Sequence, residues 1–353
     1  MTSVSTSGQF QRIQANNLAL QERMAQLRDQ VATQKKANDF GGLGSGARVS
    51  ISLRGEMKEL ESYTRNIDVA RLRLTTQVEA MERIGALAKE LNGELIKLQS
   101  DPHGDASVVN RIAENGYREI VSLLNAKVND RYVFAGGDAS TAPLPQAGAD
   151  ALFAQIDADL NGPIANAATS LTTTRTTVAS RGWFAASIDP DTSVPPVPTV
   201  PPVTVRADRS LDLEYGVLAT NGTFSDNVVP ANDLPYFREV LHAFATAAHI
   251  DQPTTPAELT EFRTYLGSTQ QALSRATGEL DREVGGLGSV GERLDGIAKA
   301  HKDLTVHLQR GVSDVEDVDM ADAITRLQLV QSQLEASYRV TTTLNRVSLS
   351  DFL

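Results

Sequence analysis

A chain of 353 residues has room for two or three domains, but with 5% aromatic residues and one Trp it suits long helices joined through aliphatic seams better than one large globular core. A net charge of -11 with no Lys/Arg-rich stripe argues against nucleic-acid binding, and the absence of cysteine excludes disulfides, thiol catalysis and thiolate metal sites. No apolar run approaches the roughly 20 residues of a membrane span, so no membrane insertion is expected, and Met1 to Gln14 has neither the basic nor the apolar region of a Sec signal peptide.

Residues 1–38 read as a terminal helix, opened by a possible capping box of Thr6 and Gln9. Its seam is Phe10, Ile13, Asn17, Leu20, Met24, Leu27 and Val31, spaced three and four apart, which expects a partner helix. Asn17 is a polar interruption of the kind that fixes register at some cost in stability. Residues 39–48 carry Gly41, Gly42, Gly44 and Gly46 and form a flexible joint; the Walker spacing that would hold phosphate is absent.

Helical period resumes at Val49 and runs through Leu53, Met57, Leu60, Ile67, Leu74, Val78 and Met81 to Leu98, stopping at Asp101-Pro102. A shorter helix follows Asp105, its N-cap, with Val109, Ile112, Ile120 and Leu124 inward. Residues 49–134 and 236–312 together read as a helical rod domain. Its second half has leucines at 266, 273, 280, 287 and 294, a heptad seam that Gly285, Gly286 and Gly288 should weaken locally.

The middle differs in kind: thirteen of the fourteen prolines lie between Pro143 and Pro256. Leu211, Leu213, Tyr215 and Val217 alternate with Asp212, Glu214 and Gly216 as in a half-buried strand, Asn221-Gly222 fits a tight hairpin, and Val194 to Val203 reads as an extended Pro-rich stretch. Residues 135–235 are therefore read as a variable β-rich outer domain, and deletion of about 146–228 with a short linker is expected to spare assembly.

The last segment, 313–353, is again free of Pro and Gly. Its seam is Met320, Ala323, Leu327, Val330, Leu334, Ser337, Thr341 and Leu344, and its start is marked by Ser313 and Glu316 as a capping box amid Asp314, Asp317 and Asp319. Residues 1–40 carry five basic and three acidic side chains, residues 313–353 three and seven, so the two ends match in period and in charge sign. The fold class expected is mainly α with a β-rich insert: long antiparallel helical rods, coiled-coil terminal helices and a small β module in the middle.

No constellation asks for an enzyme or a cofactor. His242 and His249 stand two helical turns apart, roughly 10 Å, too far to share a metal. No HExxH or nucleophile-elbow motif occurs, and the acidic stretch 314–322 lacks the glycine of a calcium loop. No catalytic, cofactor-binding or metal residue is assigned.

The stretch DVDMADAITRLQLVQSQLEASYRVTTTLNRVSLSDFL, Asp317 to Leu353, resembles the terminal signature of the bacterial flagellin family. The likeness covers about 1–135 and 236–353. Filament flagellins usually carry an Asp-Asp-Ala-Ala-Gly stretch and a Phe-Asn-Gly motif, and this chain has neither. Instead Arg131, Tyr132, Val133, Phe134 and Gly136 are similar to an Arg-Tyr-Leu-Phe-x-Gly motif of hook-associated proteins of the hook–filament junction. The Gly-rich joint is similar to that of alphaproteobacterial members. The resemblance implies a structural subunit of the bacterial flagellum at that junction, with filament flagellin as the alternative and a non-exported coiled-coil scaffold as a remote one. It further implies self-assembly and contact with neighbouring hook-associated proteins and flagellin. Type III export, an export chaperone and an extracellular location belong to the same set of expectations.

Overall fold

The computed structural model describes residues 6–160, 167–179, 182–189, 200–201, 203–220 and 234–350. The fold is mainly helical with a small β module. The helices are α1 (Thr6–Thr33), α2 (Gly46–Ser100), α3 (Ala106–Leu124), α4 (Gln146–Leu160), α5 (Ala167–Ala179), α6 (Tyr236–Ala247), α7 (Pro256–Glu316) and α8 (Met320–Ser350). The strands are β1 (Lys127–Val128), β2 (Arg131–Tyr132), β3 (Thr204–Asp208) and β4 (Leu211–Glu214), paired β1 with β2 and β3 with β4, both antiparallel. The chain divides into two compact units, one of residues 1–61 and 300–353, the other of residues 62–299.

In the larger unit α2 and α7 pack antiparallel, with Arg71 bonded to Asp295 at 2.5 Å and Lys89 to Asp281 at 3.4 Å. Leu266, Leu273, Leu280, Leu287 and Leu294 are all buried, facing Ile67, Leu74, Met81, Ile84, Leu91, Leu95 and Leu98 in one core. The glycines of α7 do not interrupt it: the apolar seam holds the helix where propensity alone would weaken it. Gly291 serves a close approach, because a Cβ there would stand 3.1 Å from Leu74.

The Asp105 carboxylate accepts from the Ser107 N–H at 2.9 Å and caps α3. That helix meets α6 so closely that a Cβ on Gly116 would lie 2.2 Å from the ring of Phe244. All twelve residues of α6 are buried, charged ones included. Arg238 pairs with Asp189 at 2.6 Å, donates to the Val178 carbonyl and lies over the Phe184 ring; Glu239 takes Arg175 and Arg275 at 2.8 and 2.9 Å.

The cover over α6 comes from the middle of the chain. Beside the β3–β4 hairpin, whose Leu213, Tyr215 and Val217 are buried as the alternation requires, this segment holds α4 and α5. Both helices pack on α6 through Leu152, Ile156, Leu171 and Val178. Neither was legible: α5 is a run of β-branched threonines, held helical by the burial of Leu171 and Val178 against α6, with hydroxyls that donate back to carbonyls four residues earlier, as Thr173 does to Thr169 and Thr176 to Thr172. A cut of 146–228 would remove both helices and uncover α6. The Asn221-Gly222 turn and most of the Val194–Val203 stretch lie outside the described residues; the hairpin turn that is seen is at Arg209-Ser210.

Candidate assembly surfaces of the terminal helices

In the smaller unit α1 and α8 lie antiparallel and pack along each other. Ile13, Asn17, Leu20, Met24 and Val31 are half-buried on α1 and Leu27 is buried; on α8 Met320, Leu327, Leu334, Ser337 and Thr341 are half-buried, Ala323 and Val330 buried. Two of the polar seam residues meet, the Ser337 hydroxyl donating to the Asn17 side-chain oxygen at 2.5 Å. Beside them the Gln21 amide donates to the Tyr338 hydroxyl at 2.8 Å. The side chains of Phe10 and Leu344, and those of the Thr6–Gln9 pair, lie outside the described residues. Outside the seam, Leu18 and Leu329 are each 57% exposed, and Ile324, Tyr338 and Val340 are exposed as well.

The start of the last helix differs from the sequence reading. Ser313 and Glu316 form no capping box; they belong to the last turn of α7, and α8 begins only at Met320. Its cap is Asp319, whose carboxylate accepts from the N–H groups of Ala321 and Asp322 at 2.9 and 3.2 Å. The break is made from outside. The residues after α1 cross it, Lys36 N donating to the Glu316 carbonyl at 2.7 Å and Val318 N to the Gln34 carbonyl at 3.0 Å. The Lys36 ammonium caps the α7 carbonyls of Asp314 and Val315, where a cation is favoured.

Glu316 is diverted because its carboxylate has better partners. Arg54 of α2 donates to both oxygens at 2.8 and 2.7 Å, the buried Ser50 hydroxyl donates to one of them, and Lys35 stands at 3.5 Å. Chiefly the Arg54 guanidinium, then Ser50, hold this carboxyl at about 2, well below its ordinary 4.5. Asp317 is likewise lowered by Lys35 at 2.5 Å and by Ser313. One side chain thus ties the segment that follows α1, the first turns of α2 and the end of α7, and sequence spacing gave no sign of it because its α2 partners lie 262 and 266 residues away.

Arg131, Tyr132, Val133, Phe134 and Gly136 lie in the larger unit and serve structure. Asn129 and Asp130, both at positive φ, make the two-residue turn between β1 and β2. Phe134 is fully buried with its ring edge-on to Phe237, centroids 5.5 Å apart, and Gly136 holds φ +63. The Gln77 amide of α2 donates to the carbonyls of Val133 at 2.6 Å and Val217 at 3.1 Å, stapling the chain where it leaves for the middle segment and where it returns. Arg131 is exposed.

His242 and His249 make structural contacts. His242, bonded to the Thr174 hydroxyl at 2.8 Å, is pushed down to about 3 by burial, and His249 bonds the Ala245 carbonyl at 2.7 Å. Among the described residues no group of three His, Cys, Asp or Glu is placed to hold a metal, and no helix is long and apolar enough to cross a membrane.

Residues 271–353 match the family model of the bacterial flagellin C-terminal helical region. No curated protein matches the chain. Among solved structures, the fold is similar to one described as a flagellar hook-associated protein from Vibrio parahaemolyticus, with a TM-score of 0.53 and 12% identity over 79% of this chain and 99% of that one. The matched segment holds most of α7 and all of α8, with the α8 side of the seam and the exposed Leu329.

Proposed function

We propose that this protein is a structural, non-catalytic subunit of the bacterial flagellum, a hook-associated protein that polymerises at the hook–filament junction. The observation that carries the reading is the α1–α8 pair: two helices joined by a narrow seam, with Leu18 and Leu329 left exposed on faces that no described residue covers. A two-helix pair buries little apolar surface and gains stability from neighbours. Charge favours the same unit for contact between copies. The smaller unit carries thirteen basic and fourteen acidic residues, net -1; the larger carries twenty and thirty, net -10, which together give the -11 of the chain. Copies repel each other through the larger unit and meet without that penalty through the smaller.

The junction assignment over filament flagellin rests on the motif Arg131, Tyr132, Val133, Phe134 and Gly136 and on the likeness to the Vibrio parahaemolyticus protein. In this reading the partners are further copies, neighbouring hook-associated proteins and flagellin. The chain reaches an extracellular position through the flagellar type III apparatus with the help of an export chaperone. Immuno-gold labelling of isolated flagella tests the assignment: one short band at the end of the hook is expected, and label along the whole filament would transfer the protein to the filament.

A further inference from the structure

Between α5 and α6 of the larger unit lies a buried imidazole with no place for a second proton. The Nε2 of His242 on α6 stands 2.8 Å from the Thr174 hydroxyl of α5, and that hydroxyl donates to the Leu171 carbonyl at 3.0 Å. A hydroxyl carries one proton, so both contacts are hydrogen bonds only if its oxygen accepts from an Nε2–H. The docked ring is therefore neutral, protonated on Nε2, with a bare lone pair on Nδ1. Nδ1 is buried and has no hydrogen-bond partner. A proton could enter the ring only there, where no acceptor would receive it.

The charged groups packed about α6 do not supply one. Arg175 of α5 and Arg275 of α7 both donate to one oxygen of Glu239, and Asp189, in the stretch after α5, is taken by Arg238. The second Glu239 oxygen is also without a partner and does not reach Nδ1. Tyr265 of α7 and Tyr117 of α3 spend their hydroxyls on the carbonyls of Thr246 and Ala149, and Asp157 of α4 faces His249 at 3.4 Å. Burial, then the nearby Arg175 cation, pushes His242 down to about 3 from its ordinary 6.5.

We propose that His242 is an acid-sensitive latch: α5 docks on α6 only over a neutral imidazole, and acid releases α5 while the α2–α7 seam stays closed. The sign follows from linkage. A base whose proton affinity is lowered in the docked state contributes its full stability above about pH 6.5 and loses it as the pH falls toward 3. Each pH unit below 6.5 multiplies the open fraction by about ten, and the step from pH 7 to pH 5 by about 25. Release opens α6 where Leu171 and Val178 now cover it, whereas Leu266 to Leu294 lie on a separate helix and carry no histidine in their seam.

The test is amide hydrogen exchange on the purified full-length chain at pH 7, 6 and 5, expressed as protection against the unstructured rate at each pH. Val178 reads the docking of α5, and Leu273 of α7 is the reference. In the wild type, protection at Val178 should fall about 25-fold from pH 7 to pH 5 while Leu273 stays level. In His242→Gln the amide nitrogen can donate to Thr174 without titrating, and Val178 protection should not change with pH over that range. A level wild-type profile, or the same fall in His242→Gln, would overturn the latch. Should the glutamine disturb the fold, nitrogen NMR of the wild-type imidazole decides. The Nε2–H tautomer is expected, unprotonated at pH 5 in the docked chain; an Nδ1–H tautomer, or a ring that takes its second proton near pH 6 with Val178 still protected, would overturn the proposal.

Discussion

Replacing Glu316 by alanine removes the shared acceptor of Ser50, Arg54 and Lys35 in one step. Ser50 is fully buried and loses the carboxylate its hydroxyl donates to, whereas the Arg54 and Lys35 side chains are 47% and 38% exposed and rehydrate. A hydrogen bond to a charged group contributes about 1.5–3 kcal/mol. Breaking a pair in which both charges are buried costs about 3–5 kcal/mol, and the exposure of the two cations keeps this site below that. We expect Glu316→Ala to destabilise the smaller unit by about 2–3 kcal/mol. Urea titration with amide exchange read at Leu27 and Val330 should show the loss there, with the Leu266–Leu294 seam of the larger unit unchanged. The effect has a pH signature. A carboxyl held at about 2 in the folded chain, against 4.5 ordinarily, stabilises fully above pH 4.5 and loses that contribution as the pH falls toward 2. The difference between wild type and variant should therefore be level between neutral pH and about 5 and shrink to nothing in strong acid. A loss below about 0.5 kcal/mol at neutral pH, the size of an exposed ion pair, would refute the role given to Glu316.

Two further outcomes follow from packing. Gly116→Ala drives a methyl into the Phe244 ring, 2.2 Å from where its Cβ must go, so thermal unfolding should show a loss of at least about 1–3 kcal/mol even though alanine is the better helix former. Deleting 135–218 behind a short linker joins ends that already touch, Ala219 N donating to the Phe134 carbonyl at 3.1 Å, yet it strips α4 and α5 from α6; the product should bind hydrophobic dyes and aggregate, and a monomeric, cooperatively melting product would contradict that account of the core.

What the sequence made legible was periodic. The leucines from 266 to 294, the Asp105 cap and the alternation at Leu211, Leu213 and Tyr215 each depend on neighbours within a turn or a strand, and each is found in the structure. What it hid was either aperiodic or distant. Threonine-rich α5 has strand-like composition and is helical because Leu171 and Val178 are buried against α6. The Ser313–Glu316 spacing fits a capping box, but the carboxylate is drawn to Arg54, and the helix start moves to Asp319. Gln77, a polar residue within a long helix, holds two carbonyls that lie 56 and 140 residues away. The seams of α1 and α8 could be drawn from spacing alone; that Asn17 meets Ser337 could not, because relative register depends on the crossing at Gln34–Lys36.

The central claim is that the α1–α8 pair carries assembly, and one substitution on its seam tests it most directly. Leu334 is half-buried between Val330 and Thr341 on the face turned to α1. Leu334→Asp removes an apolar side chain whose half-burial contributes less than the ~1.5–3 kcal/mol of full burial, and puts in its place a carboxylate whose partial desolvation adds to the loss. The α2–α7 seam is separate, so the variant should remain a soluble, largely helical monomer. In sedimentation velocity under conditions where the wild type polymerises, the account predicts a single monomer boundary for Leu334→Asp at every concentration reached. Polymers of wild-type size and yield from the variant would contradict the claim that this pair of helices holds the assembly together.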